Sequence, residues 1–337
     1  MSDAADRAAR VRRGAGWFER PERGVIRVTG ADRVRWINGM VSNDVARLAP
    51  GPARSGCHAL LLTPQGRIVA DLRVLCREQE LWLELERAAL ADVLARLERY
   101  RIADDVELDD ASDAWRRFSL EGPRAPGILA RALGRPVEIA PECGAELALG
   151  GAVVVACAWG WSGEAAYQLF VPPEHAGAAR AAIFDAAGEG GLEPGDAETL
   201  EVLRIEAGTP RLGAELGPDV LPAEVGLIDR AVSLSKGCYT GQEIVARMES
   251  RGAAAHRLVG FRFEDPEAAG AGELRPGAEV RAGTERIGEL TSVCRSALAG
   301  TIALGFVRRA HAEPGSVVAV GAAAARLTTL PFVAKAG

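Results

Sequence analysis

Hydrophobic positions change period along the chain, and each change marks an element. A β-rich run at 25–28 precedes Val34, Ile37, Val41, Val45 and Leu48 at three- and four-residue spacing, which predicts a strand and then an amphipathic helix opening after Thr29 or Asp32. Runs at 59–63 and 67–77 flank the turn signal P-Q-G, and Leu81, Leu83 and Leu85 alternate with polar neighbours, as in an antiparallel meander. Leu90, Val93, Leu94 and Leu97 restore helical spacing, and 102–108 returns to strand. The mixture then recurs: strand near 117–120, helix through 128–133, strands at 153–158 and 166–171, an alanine-rich helix at 176–187, and a helix after Asp196 carrying Leu200, Leu203 and Ile205. Beyond Arg251, short strands at 257–263, 286–294, 301–308, 317–320 and 326–330 are separated by Gly and Pro, as in a small barrel. The expected class is α+β. Residues 1–252 form two lobes, approximately 1–110 and 111–252 and free to interleave, and 253–337 form a C-terminal β-barrel.

With 48% hydrophobic and 26% charged residues, the 337-residue chain has the balance of an ordinary folded protein rather than a disordered or fibrous one. Its net charge of −6 removes the basic excess that drives nonspecific phosphate binding, so direct contact with nucleic acid is not expected. The longest uncharged apolar stretch, 147–161, is short for a membrane span and is broken by Gly150, Gly151 and Gly160. The N-terminus mixes acids and arginines without an apolar core, which points to the cytoplasm. Six cysteines form no C-x-x-C pair and lack ligand spacing with His58, His175, His256 or His311, so no metal site of the protein alone is expected. In a reducing compartment each is by default a small buried hydrophobe. His58 adjoins Cys57, but neighbours on a strand face opposite sides, and no catalytic triad can be drawn.

The most unusual segment is L-S-K-G-C-Y-T-G-Q-E-I-V-A-R, 234–247. Thr240 and Glu243 have capping-box spacing, so a helix is predicted to begin there, with Cys238 two residues ahead of its cap. A helix N-terminus and the ammonium of Lys236 would both favour the thiolate. Of 40 basic residues only Lys236 and Lys335 are lysines, so the choice of lysine beside this cysteine stands out. Local chemistry alone leaves an equal alternative, a glycine-bounded turn around an inert, buried cysteine.

The string K-G-C-Y-T-G-Q-E-x-V-A-R resembles the signature of the YgfZ family of folate-binding, iron–sulfur-cluster-related proteins. L-R-I-E-A-G-T-P-R-L-G and L-P-A-E-V-G-L are similar to segments of the glycine-cleavage T-protein, the aminomethyltransferase to which YgfZ is related. W-I-N-G-M-V-S-N-D-V and T-P-Q-G-R-I-V-A-D-L resemble both groups, and I-G-E-L-T-S-V and I-A-L-G-F-V resemble the T-protein's C-terminal barrel. The resemblance implies a three-lobed ring with tetrahydrofolate, or a substituted form, at its centre. Asp71 would be the one retained member of the T-protein's acidic pair, with Ala70 at the other position. A lone aspartate opening a strand is otherwise a solvated or turn-capping residue. Gln168 stands where a T-protein glutamate recognises the pterin, and an amide cannot supply the same charge-assisted acceptors. Arg204 matches an arginine near the folate, the alternative being a helix-face arginine paired with Glu201. Tyr167 offers a ring for stacking on the pteridine, the alternative for it and for Trp36 being simple core.

What the resemblance implies for function is a YgfZ-like tetrahydrofolate-binding protein acting in assembly, maintenance or repair of iron–sulfur clusters, and through them supporting cluster-dependent tRNA modification. In that reading Cys238 makes a transient cluster or redox contact, Lys236 tunes it, Asp71 works beside the folate, and the partners are iron–sulfur assembly or client proteins. The alternative is a folate-dependent one-carbon transferase of the aminomethyltransferase type. Ala70, Gln168 and the cysteine string, which T-proteins lack, favour the first. A third reading is a T-protein-like scaffold that has lost folate binding.

Overall fold

Period-two alternation between residues 56 and 86 becomes three antiparallel strands, Gly56–Leu62, Ile68–Cys76 and Leu81–Glu86. In the computed structural model, which describes residues 3–251, 254–269 and 272–335, these join Arg23–Thr29 and Glu107–Asp110 in a five-stranded sheet. One face of it, carrying Ile26, Val28, Ala59, Leu61, Ala70, Leu72 and Val74, is buried with Trp36 and Ile37 of the helix Arg33–Met40 and Leu90 and Val93 of the helix Arg87–Glu98. The first helix stops well short of the predicted Leu48. Asn38 Oδ1 accepts the N–H groups of Val45 (2.9 Å) and Ala46 (3.3 Å), and the carbonyls of Asn38, Val41 and Asn43 accept from Lys236 Nζ, so side chains replace helical partners. The strand expected at 102–108 shrinks to Glu107–Asp110, and Ile102, an apolar residue in that run, is 90% exposed.

The second sheet has six strands, in the order Glu193–Pro194, Gly16–Glu19, Arg116–Glu121, Ala166–Val171, Ala152–Cys157 and Gly144–Leu149. Gly16–Glu19 lies in this sheet and the next strand, Arg23–Thr29, in the other, so the chain crosses between lobes within a few residues. Tyr167, Leu169, Phe118 and Leu120 pack with Ile128 of the helix Ala125–Leu133 and Ile183 of the helix Ala176–Ala187. The opposite face brings Phe170, Val155 and Cys157 against Leu75 and Trp82 of the first sheet, with Trp159 and Trp161 between.

An N-terminal helix, Asp3–Arg13, was not predicted, because its buried stripe is mostly alanine (Ala4, Ala5, Ala8). Arg12 holds it in place, donating to Glu206 (2.9 Å) and Glu164 (2.9 Å). The C-terminal strands His256–Phe263, Glu279–Ala282, Glu285–Ser296, Gly300–Arg308, Val317–Val320 and Ala323–Thr328 close into an antiparallel barrel around Phe261, Leu290 and Leu327. Glu279–Ala282 was missed by the pattern, and the domain boundary expected near residue 252 lies outside the described residues. Among the described residues no helix is long and apolar enough to cross a membrane.

Candidate functional site

Strand alternation sorts the two positions of the reduced acidic pair. Ala70 is fully buried in the first lobe's core, whereas Asp71 is turned to the opposite face, with its side chain 19% exposed. There it accepts from His58 Nε2 across the paired strands, and Arg73 Nη1 lies 3.7 Å away. The charges continue in alternation: Arg73 Nε is 3.0 Å from Glu142 Oε2, and Glu142 Oε1 is 3.3 Å from Arg230 Nη2. Glu142 has φ +65°, a left-handed backbone unusual outside glycine and of the kind that collects at functional sites.

Burial works against ionisation of Asp71, but His58, Arg73 and Arg23 together outweigh it and hold the carboxyl well below the usual carboxylate range. Burial, reinforced by Arg73, likewise pushes His58 below its ordinary value, which favours its neutral form. The pair is therefore a carboxylate receiving an N–H from a neutral imidazole, whose Nδ1 is buried without a partner. His58 was not among the residues singled out from sequence. The only available signal was its place on a strand two positions off the register of Asp71, which requires the pairing to be known.

Asn43 connects this group to the cysteine-bearing loop. Its amide donates to the carbonyls of His58 (2.7 Å) and Arg230 (3.2 Å), and it lines a cleft of ≈ 570 Å³ with Asp44, Asp229 and Ser233. Lys236 is buried and gives its ammonium to three carbonyls, those of Asn38, Val41 (2.7 Å) and Asn43 (2.9 Å). Those bonds use all three of its donors, so Lys236 anchors the loop rather than donating to the Cys238 thiol that the sequence predicts it would tune. Burial lowers its pKa to about 8, against the pull of Asp44. Cys238 is exposed, while Cys76, Cys143 and Cys157 are buried and Cys57 and Cys294 half-buried. The helix begins at Gln242, past the predicted cap at Thr240, because Gly241 has φ +85° and the first helical bond runs from Val245 N–H to the Gly241 carbonyl.

The remaining expected folate contacts are engaged within the protein or turned into its core. Tyr167 faces the helices of its own lobe, a half-turned pleat from Gln168, and is core. The Gln168 amide donates to Ser119 Oγ (2.7 Å) and the Trp159 carbonyl (2.9 Å). Beside it, Glu121 is fully buried and accepts from Ser119 Oγ (2.6 Å) and Ser162 N–H (2.8 Å). Arg204 is 1% exposed and donates to Glu201, Glu215 (2.9 Å), Ser292 (2.6 Å) and the Thr209 carbonyl (3.2 Å), tying its helix, Ala197–Ala207, to the barrel. The alternative pairing with Glu201 is the one the structure adopts. Tested against tetrahydrofolate, Asp71 keeps an acceptor for an amine, whereas the Gln168 N–H groups and the Arg204 guanidinium are engaged within the protein and Tyr167 faces away.

The "GCVT N-terminal domain" model matches residues 2–236 and the "Glycine cleavage T-protein C-terminal barrel domain" model matches 256–333. The aminomethyltransferase of Streptomyces coelicolor is 32% identical over 312 residues, covering 91% of this chain and 82% of that protein. That of Saccharopolyspora erythraea is 30% identical over 339 residues, covering 98% and 89%. Among solved structures, the glycine cleavage system aminomethyltransferase T from Bartonella henselae superposes with a TM-score of 0.84 at 22% identity, covering 98% of this chain and 89% of that one. The chain belongs to the glycine-cleavage T-protein family, with sheet-and-helix lobes and a closed C-terminal barrel.

Proposed function

We propose that the chain binds tetrahydrofolate, or a substituted form, and works on its one-carbon unit as a folate-dependent transferase of the aminomethyltransferase type. The observation that carries this reading is the placement of Asp71. Of the two positions in the acidic pair, 71 faces the polar cluster and 70 the core, so Ala70 does not deprive the cluster of its carboxylate. The names of the relatives agree with it. Bound folate would supply the amine that takes up the one-carbon unit. Asp71 would accept a hydrogen bond from an amine at that point and stabilise positive charge on it, and His58 and Arg73 would keep it ionised and oriented. Recognition of the pteridine would fall to groups other than the Gln168 amide. Titration of the protein with tetrahydrofolate tests the reading: saturable one-to-one binding is expected, retained in Asp71→Asn, and no binding would leave the scaffold reading.

A YgfZ-like role in assembly, maintenance or repair of iron–sulfur clusters is the second reading, favoured by one observation. Cys238 is exposed on a loop that Lys236 fixes by three hydrogen bonds, the setting of a thiol presented to a partner. Among the described residues no three His, Cys, Asp or Glu side chains converge as a metal site, so a cluster contact through Cys238 would draw its other ligands from a client protein. Restoration of a cluster-dependent tRNA-modifying activity in a bacterium lacking its own YgfZ, by wild type and not by Cys238→Ala, would select this reading.

A further inference from the structure

The two chain crossings between the sheets, at residues 20–22 and 111–115, border a cleft of ≈ 260 Å³ whose lining includes Arg20, Arg87, Trp115, Arg116 and Arg117. Four arginines thus line one small cleft together with two acidic residues, Glu19 and Asp113. Asp113 is paired with Arg87 (2.8 Å) and is 89% exposed, so solvent weakens its field.

Arg117 is the unusual member. It projects from the strand Arg116–Glu121 on the face shared with Ser119 and Glu121, toward the seam between lobes, and is only 8% exposed. Its Nε and Nη1 are shielded from solvent and have no hydrogen-bond partner, and among the described residues it forms no ion pair. The nearby Glu84 is not free to serve it, because both its oxygens are held by Arg23 at 2.5 and 2.6 Å. Arg20 pairs with Glu22 and lies over the Trp161 ring at 3.7 Å, yet its Nη1 also lacks a partner. Burial, with repulsion from Arg23 and Arg87, outweighs the attraction of Glu84 and Glu22 and lowers the Arg117 guanidinium to about 10. A buried guanidinium whose donors lack acceptors is costly, and an anion that fills its planar fork would satisfy them.

We infer that this interlobe cleft is an oxyanion-binding site centred on Arg117 and flanked by Arg20, Arg87 and Arg116. Its occupant is a carboxylate or phosphate group, the two anions that match a guanidinium bidentately. At ≈ 260 Å³ the cleft lies below the roughly 300–1,000 Å³ of pockets for drug-sized ligands, so it takes a small anion or the anionic end of a longer molecule. The inference does not rest on the folate reading.

Calorimetric titrations of the full chain with inorganic phosphate and, separately, with succinate, at ionic strength held constant with sodium chloride, test the inference. Saturable one-to-one binding of at least one is expected; phosphate alone identifies a phosphoryl ligand, succinate alone a carboxylate. Arg117→Gln weakens it by tenfold or more, the exposed Arg116→Gln by two- to fivefold, and Arg99→Gln, on an exposed turn elsewhere, leaves it unchanged. Arg116→Gln keeps the test intact if Arg117→Gln misfolds, since Arg116 is at the surface. Absence of saturation with both anions, equal competition by chloride, or unchanged affinity in both cleft variants would overturn the inference.

Discussion

Gly241 and Gly66 lie against each other so closely that a Cβ on Gly241 would stand 3.1 Å from Gly66 Cα and 2.6 Å from the Thr63 carbonyl oxygen. Both have left-handed backbones, φ +85° and +73°. The glycine that ends K-G-C-Y-T-G and the one that turns T-P-Q-G-R are thus two halves of one contact, which holds the Cys238 loop to the meander that carries Asp71. Gly241→Ala is expected to cost about 2–3 kcal/mol, from backbone strain and the displaced turn. Urea unfolding should show a lower midpoint with an unchanged slope. Wild-type stability in this variant would mean the contact relaxes freely.

Acid stability follows from the Asp71–His58 pair. Asp71 is held below its unfolded value, so its stabilisation is complete above the unfolded pKa near ~3.9 and is lost as pH falls through the folded one. His58 is also held below its unfolded value of ~6.5, so on acidification the unfolded chain takes the proton first and stability again falls. Both slopes have the same sign. His58→Gln should flatten the stability curve as pH falls below about 6.5 while leaving a further loss below ~4. Parallel curves for variant and wild type would show that the imidazole titrates alike folded and unfolded.

Arg204 serves the architecture. Arg204→Met would strand the fully buried Glu215 without its cation and sever the bond to Ser292, at a cost of about 3–5 kcal/mol, read by calorimetric unfolding. Tetrahydrofolate affinity should change less than threefold in any Arg204 variant that stays folded. Loss of affinity at wild-type thermal stability would instead return Arg204 to the ligand.

Alkylation distinguishes the six thiols. Burial pushes Cys57 up to about 12 and Cys157 and Cys294 well above their ordinary value, whereas Cys238 is exposed. Native protein should take up one equivalent of iodoacetamide, mapped by mass spectrometry to Cys238, and Cys238→Ser should abolish it while changing stability by less than about 0.5 kcal/mol. Rapid labelling elsewhere would mean that local opening exposes a buried thiol.

Much of the fold was legible in the sequence because period-two and 3.6-residue patterns were strong: the strand at 166–171 and the helix at 176–187 form as predicted. What escaped had a physical cause. Alanine is too weakly hydrophobic for the helix Asp3–Arg13 to register as a stripe, and the helix after Asp32 ends early because Lys236, nearly two hundred residues away, takes its carbonyls. The site was less legible than the fold. Motif strings identified Asp71, Lys236 and Cys238, but strand register alone reveals His58 behind Asp71 and puts Ala70 in the core. The same register and packing commit Gln168 and Arg204 to neighbours that no string names.

The central claim, that Asp71 is the working carboxylate of a folate-dependent one-carbon transferase, is tested most directly by tetrahydrofolate consumption with an aminomethyl donor, comparing wild type, Asp71→Asn and Cys238→Ala. The account predicts turnover by wild type, a loss of about a hundredfold or more in Asp71→Asn with tetrahydrofolate still bound, and full activity in Cys238→Ala. Wild type that binds tetrahydrofolate without turning it over, or activity that survives Asp71→Asn and disappears with Cys238, would contradict it.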